Sequence, residues 1–259
     1  MKLLVAVSIS TGLLLFGGQG IANAQLNAVD NNSLLLVSPD DGSTAVVGAV
    51  TGFGVFGALA YRSDGELFGG SSLSLFSIDP DSGEGTLIGN NSIGGLNGFS
   101  FRDDDTLFAV SNDTLYTIDT DTGSARLIGA LGLGQIQGIA FDSAGTLYGI
   151  GGNSFQLVTI DTASGAATQV AATSFSRNYS ALTFDDSDTL FAIDAFNGDL
   201  VTLDVTTGED TLVGSLGAGG GSIGGRYGGI AFSSVPEPTA LPLLIGLAFS
   251  SFIQRRKAA

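Results

Sequence analysis

A chain of 259 residues with 44% hydrophobic content and a mean hydropathy of +0.38 can bury a core, which argues against disorder. It contains no Cys, His or Trp, which excludes Ser-His-Asp and Cys-His nucleophile systems, thiol redox chemistry, disulfide staples and zinc sites built on the usual nitrogen and sulfur ligands. The net charge of −16 understates the acidity of the middle: residues 25–235 carry five Arg and no Lys against 24 Asp and Glu, and that balance of −19 excludes nucleic acid as a partner.

The chain opens on MKLLVAVSISTGLLLFGGQGIANA, with one early Lys, an apolar stretch from Leu3 to Phe16, and the small-x-small site Ala22-Asn23-Ala24. This pattern predicts a secretory signal peptide over residues 1–24, removed by signal peptidase after Ala24. A membrane-spanning helix fits less well, because the stretch is short and Gly-rich, and a lipid anchor lacks its Cys.

From residue 25 onward the chain repeats. Forty Gly and five Pro point to many short strands joined by tight turns. The clearest marker is a strand running into a Gly-closed turn: LLLVSPDDG, SLFSIDPDSG, TLYTIDTDTG, QLVTIDTASG and DLVTLDVTTG. The closing residues Gly42, Gly83, Gly123, Gly165 and Gly208 are 41, 40, 42 and 43 residues apart. A period near 40 with several short strands per unit predicts a β-propeller, one blade per unit. The unit between Gln137 and Ala171 shows four strands: QGIAFD (a), TLYGI (b), QLVTID (c) and ATQVA (d). Alternating apolar residues in strands a to c fit half-buried antiparallel strands, and small residues such as Gly138 and Ala140 suit a crowded centre.

Strand a occurs five times, ending at Tyr61, Phe101, Phe141, Phe184 and Phe232, while the first b–c–d set precedes the first strand a. LNAVDNNSLLLVS from Leu26 aligns without a gap on LFAVSNDTLYTID from Leu107. The expectation is therefore a five-bladed, all-β propeller over residues 25–234, its ring closed by pairing residues 26–29 with residues 228–232. An open β-solenoid with polar caps is the competing architecture.

Beyond the last strand a, Thr239 to Ile253 is apolar and is followed by Arg255, Arg256 and Lys257. A helix over 239–253 spans about 22 Å at roughly 1.5 Å per residue, and reaches across a membrane of ~30 Å with snorkelling flanks and local thinning. The basic end lies on the cytoplasmic side, with residues 25–235 on the other, in agreement with the signal peptide. The order Val235-Pro236-Glu237-Pro238, apolar run and basic cluster resembles a PEP-CTERM sorting signal over residues 235–259. That resemblance implies recognition by exosortase, a membrane-embedded transpeptidase-like enzyme of Gram-negative bacteria that make extracellular polysaccharide. It also implies removal of the tail and delivery to the outer envelope or matrix. The chain departs from the pattern in its short basic cluster, trailed by Ala258 and Ala259. The repeat units resemble uncharacterised extracellular propeller-like domains, which implies a fold and no activity.

Two acidic sets lie in the turns. In the c–d turns, Asp79-x-Asp81 and Asp119-x-Asp121 place carboxylates near a Gly in the manner of calcium loops, and are weak calcium candidates. Turn chemistry explains them more simply, because an Asp at a turn start accepts turn N–H groups and Gly closes the turn; Ser38 and Ala163 stand where the other copies have carboxylates. In the a–b turns, Asp103-Asp104-Asp105 and Asp185-Asp186-Ser187-Asp188 gather charge at one rim, with Arg62 and Arg102 neutralising nearby Asp. No acid pair stands out as catalytic, and Tyr116 and Tyr148 read as blade packing. The expected role is non-enzymatic, structural or binding, associated with extracellular polysaccharide and without a cofactor; a glycan-cleaving hydrolase with a carboxylate pair and a calcium-dependent adhesin are the alternatives.

Overall fold

The computed structural model describes residues 25–30, 33–50, 56–152, 156–172, 177–216 and 227–233. The predicted signal peptide with Ala22 and Ala24, the sorting residues Pro236, Glu237, Pro238, Arg255, Arg256 and Lys257, and the predicted helix 239–253 lie outside these residues. Among the described residues every regular element is a strand, and no helix is long and apolar enough to cross a membrane.

Among the described residues twenty strands form five four-stranded antiparallel sheets. Blade I begins with β1 (Gln25–Asp30), β2 (Ser33–Val37) and β3 (Thr44–Ala49). Blade II holds β4 (Phe56–Tyr61), β5 (Leu67–Ser71), β6 (Ser74–Ile78) and β7 (Gly85–Asn90). Blade III holds β8 (Leu96–Phe101), β9 (Leu107–Ser111), β10 (Thr114–Ile118) and β11 (Ala125–Ala130). Blade IV holds β12 (Ile136–Phe141), β13 (Leu147–Gly151), β14 (Gln156–Ile160) and β15 (Ala167–Ala172). Blade V holds β16 (Tyr179–Phe184), β17 (Leu190–Asp194), β18 (Asp199–Leu203) and β19 (Asp210–Ser215). The last strand, β20 (Tyr227–Ser233), returns to blade I and pairs with β1.

The register at the seam is Leu26 with Phe232, Asn27 with Ala231, Ala28 with Ile230 and Val29 with Gly229. The closed ring is therefore the architecture adopted, not the open solenoid. Strand β20 runs one step further than the expected end at Phe232: Ser233 pairs with Gln25 and is buried.

Burial follows the strand order outward. Strands a to c are mainly buried, whereas strand d shows two exposed residues in its middle in β3, β7, β11 and β19. The core is five separate apolar clusters, each between adjacent blades; Leu26, Leu35, Phe191, Ile193 and Leu200, for example, join blades V and I. Such blade-to-blade burial leaves no blade stable alone and makes closure a cooperative requirement. The inner strands β4, β8, β12, β16 and β20 each touch both inner neighbours around the axis.

Candidate functional site

The five inner strands build the axis from matching columns. Their third column is Ala58, Gly98, Gly138, Ala181 and Gly229. A Cβ on Gly98 would lie 2.9 Å from Gly138 Cα, and one on Gly138 would lie 2.9 Å from Ala181 Cα, so only the smallest residues let five strands converge. On one side the remaining space is about 10 Å³, no more than a single water requires. The other side opens into a blind funnel of about 310 Å³ at the face of the a–b turns.

The funnel wall carries an aromatic collar, the residue ending each inner-strand column: Tyr61, Phe101, Phe141, Phe184 and Phe232. Four of these rings lean on the aromatic residue of the preceding blade's strand b. Phe101 meets Phe68 at 5.2 Å, Phe141 meets Phe108 at 5.3 Å, Phe184 meets Tyr148 at 5.4 Å, and Phe232 stacks on Phe191 at 6.3 Å. In blade I the matching residue is Asn27, fully buried. Tyr61 takes the fifth collar place and donates its hydroxyl to Asn27 Oδ1 at 2.8 Å, while Asn27 Nδ2 donates to Leu35 O at 3.1 Å. Burial, with a smaller contribution from the Asp81 charge, pushes the Tyr61 phenol up to about 12.

Above the collar stand the a–b turns. In blades II and III the residue after strand a is Arg62 or Arg102. Each guanidinium sits over a ring, Arg62 5.2 Å from the Phe68 centroid and Arg102 5.1 Å from that of Phe108. Each is also paired, Arg62 with Asp64 and Glu66, Arg102 with Asp104. The arginines thus do more than neutralise surface acids, since their stems and planes cover the collar's supporting rings. Hydrogen bonding to Arg102 holds the Asp104 carboxyl well below the usual range.

In blades IV and V the same position is Asp142 or Asp185. Each spends Oδ1 on its own turn, Asp142 accepting from Thr146 N, and Asp185 from Ser187 N and Thr189 N. With Asp103 and Asp186 they line the funnel. Two other acids join the blades: Asp105 accepts from Ser63 N and Oγ, and Asp188 from Ser143 N and Oγ. Asp105 and Asp188 adopt φ of 60° and 58°, where the turns of blades II and IV use Gly65 and Gly145, so each trades an unfavourable backbone for a bond to the preceding blade.

The c–d turns place the calcium candidates elsewhere, away from the funnel. Asp79 Oδ1 accepts from Asp81 N and Ser82 N, and Asp119 Oδ1 from Asp121 N, Thr122 N and Thr122 Oγ1. The Thr122 hydroxyl and backbone bonds lower the Asp119 carboxyl. Asp161 and Asp204 do the same in their blades, while in blade I the acceptor moves to Asp41, which caps Ser43 N. Asp119 and Asp121 come together with Asp105 and Arg126 along an open groove on blade III. Among the described residues no group of three or more acidic side chains is arranged to hold a metal ion.

The other rim carries a cluster that sequence reading missed. Arg177 reaches Asp194 at 3.1 Å, Asp199 at 3.2 Å and Asp210 at 2.7 Å. Asp194 is fully buried; burial alone would raise its carboxyl, but bonds from the Asn197 side chain and the N–H groups of Phe196, Asn178 and Asn197 hold it low. No repeat signal announces this cluster, because Arg177 and Asp210 have no counterparts in other blades.

The sequence matches no protein-family model and no curated protein. The fold, in contrast, is shared with solved structures. It is similar to a chain from "Crystal structure of Nidogen/Laminin Complex", with a TM-score of 0.60 and 14% identity over 81% of this chain and 98% of that one. It is also similar to a chain from "The de novo evolutionary emergence of a symmetrical protein is shaped by folding constraints", with a TM-score of 0.54 and 20% identity over 79% of this chain and 95% of that one. At such identities the likeness establishes the propeller fold alone.

Proposed function

We propose that this is an exported propeller, sorted by exosortase to the outer envelope or extracellular matrix, where it has a non-enzymatic structural or binding role beside extracellular polysaccharide. The observation that supports it best is the placement of the seam. The ring is complete between Gln25 and Ser233, and the paired ends Gln25 and Ser233 lie at the same rim, next to the funnel. The predicted cleavage after Ala24 and the Pro236-Glu237-Pro238 motif both fall just outside this closed pairing, so processing at either end leaves every blade intact. The turn acids that suggest catalysis or calcium mostly cap their own turns or bridge blades, which favours a stable display scaffold over a hydrolase or a calcium-built adhesin. Replacing Pro236, Glu237 and Pro238 by Ala in an exosortase-bearing host leaves a full-length precursor in the inner-membrane fraction on an immunoblot. Normal processing and release of that variant would refute the sorting assignment.

A further inference from the structure

The repeat contains its own example of a cation held between a ring and carboxylates. In blades II and III a cation, the Arg62 or Arg102 guanidinium, lies over a strand b ring and against turn carboxylates. Blades IV and V keep the ring, Tyr148 or Phe191, and the carboxylates, but replace the arginine with Asp142 or Asp185. Tyr148 and Phe191 lie behind the collar rings Phe184 and Phe232, and it is these collar rings, with the carboxylates of Asp142, Asp185 and Asp186, that line the funnel, with no arginine among its lining residues. Asp142 and Asp185 have one oxygen engaged in their turns, and Asp186 accepts no hydrogen bond among the described residues, whereas Asp103 lies in the field of the neighbouring Arg102. The collar rings Phe184 and Phe232 are half-buried, leaving part of their surface open to the cavity.

From these juxtapositions we infer that the funnel is a binding site for a small organic cation, an ammonium or guanidinium head group, held between the aromatic collar and the carboxylates of Asp142, Asp185 and Asp186. A ring face attracts such a cation through its quadrupole, and the low-dielectric floor strengthens the attraction to the acids at the rim. A hydrated inorganic ion gains less, because it must shed tightly held water to meet a ring. The closed girdle below makes the funnel a dead end, so a head group enters from one face and the rest of its molecule trails outward. The cavity of about 310 Å³ accepts a head group and a few further atoms, not a folded chain. This inference extends the binding role proposed above and is independent of the sorting route.

The test is a titration of the full-length chain in an uncharged maltoside detergent, followed by calorimetry and by NMR of the Tyr and Phe rings. The probes are tetramethylammonium and ethylguanidinium, each set against its neutral isostere, tert-butanol and ethylurea. The expected result is saturable binding of at least one cation, roughly millimolar, with the neutral isosteres silent; which cation binds tighter separates an ammonium from a guanidinium source. The double variant Asp142→Asn with Asp186→Asn keeps the turn acceptor and the fold, and weakens binding about tenfold. Absence of saturation up to about 30 mM, equal binding of a neutral isostere, displacement by calcium at matched ionic strength, or unaltered affinity in the double variant would each overturn the inference. Because the assay needs no sorting, a negative result here leaves the processing experiment unaffected, and a negative result there leaves this one standing.

Discussion

At the scale of single residues, the departures from the repeat are the informative ones. Four blades pair aromatic with aromatic at the collar, and the fifth pairs Tyr61 with Asn27. A buried amide is costly unless its oxygen is satisfied, so the Tyr61 hydroxyl and Asn27 belong together. Tyr61→Phe is expected to lower unfolding stability by about 1–3 kcal/mol in urea titrations, since it strands Asn27 Oδ1 in the core. Adding Asn27→Phe recreates the pair found in the other blades and restores most of the loss; a double variant no more stable than the single one would refute the coupling. The columns themselves were legible: aligned copies show an aromatic ending every strand a and an Asn in place of a ring in blade I. That these two exceptions touch was not legible, because they lie 34 residues apart in different blades.

At the scale of elements, the outer strand explains a Gly that turn chemistry alone leaves unassigned. Gly48, Gly89, Gly129 and Gly214 occupy one column of strand d. Added Cβ atoms there would lie 1.8, 1.9, 2.0 and 1.8 Å from the carbonyl oxygens of Ser82, Thr122, Ser164 and Asp41, in the c–d turns of the next blades. Turn and strand glycines therefore form one contact between blades, which is why both recur with the same period; blade IV carries Ala171 in this column. Gly129→Ala is expected to destabilise the propeller by roughly 1–3 kcal/mol, since backbone and not a movable side chain stands in the way. An unchanged urea midpoint would show that blades III and IV can separate at no cost. On the same strand Val46, Leu87, Leu127 and Leu212 point outward, from 55% to 69% exposed, so strand d is the least buried part of each blade.

At the scale of the whole molecule, closure comes from the first and last described strands, which pair as the two strands flanking an a–b turn do. In blade II three residues link Arg62 to Glu66 across such a turn, and Ser233 pairs with Gln25 in the equivalent way. A permuted chain that joins Ser233 to Gln25 through Ser-Asp-Gly, and opens in the exposed blade IV turn between Ala144 and Gly145, is expected to fold to the same strand content. Its stability should fall within about 2 kcal/mol of the parent. Deleting residues 227–233 instead removes the inner strand of blade I and bares the clusters it shares with blades II and V, so circular dichroism should report loss of the cooperative transition. A permutant that fails to fold would mean that the order in which the strands follow one another along the chain is itself required.

The sequence by itself determined the period, the four strands of each blade, the number of blades and the partners at the seam, because these follow from local alternation, turn residues and a count of copies. It also carried the residue order on which the proposed sorting rests, Pro236-Glu237-Pro238 followed by an apolar run and a basic cluster. Only the tertiary structure decided which turn acids act as caps, which bridge blades and which are left facing the funnel. Asp105 meets Ser63 across 42 residues and Asp188 meets Ser143 across 45, whereas Asp103 and Asp186, each two places away in the same turns, line the cavity. Such roles depend on what the neighbouring blade brings within hydrogen-bond distance, and side chains of one type and one local spacing diverge there because their neighbours differ.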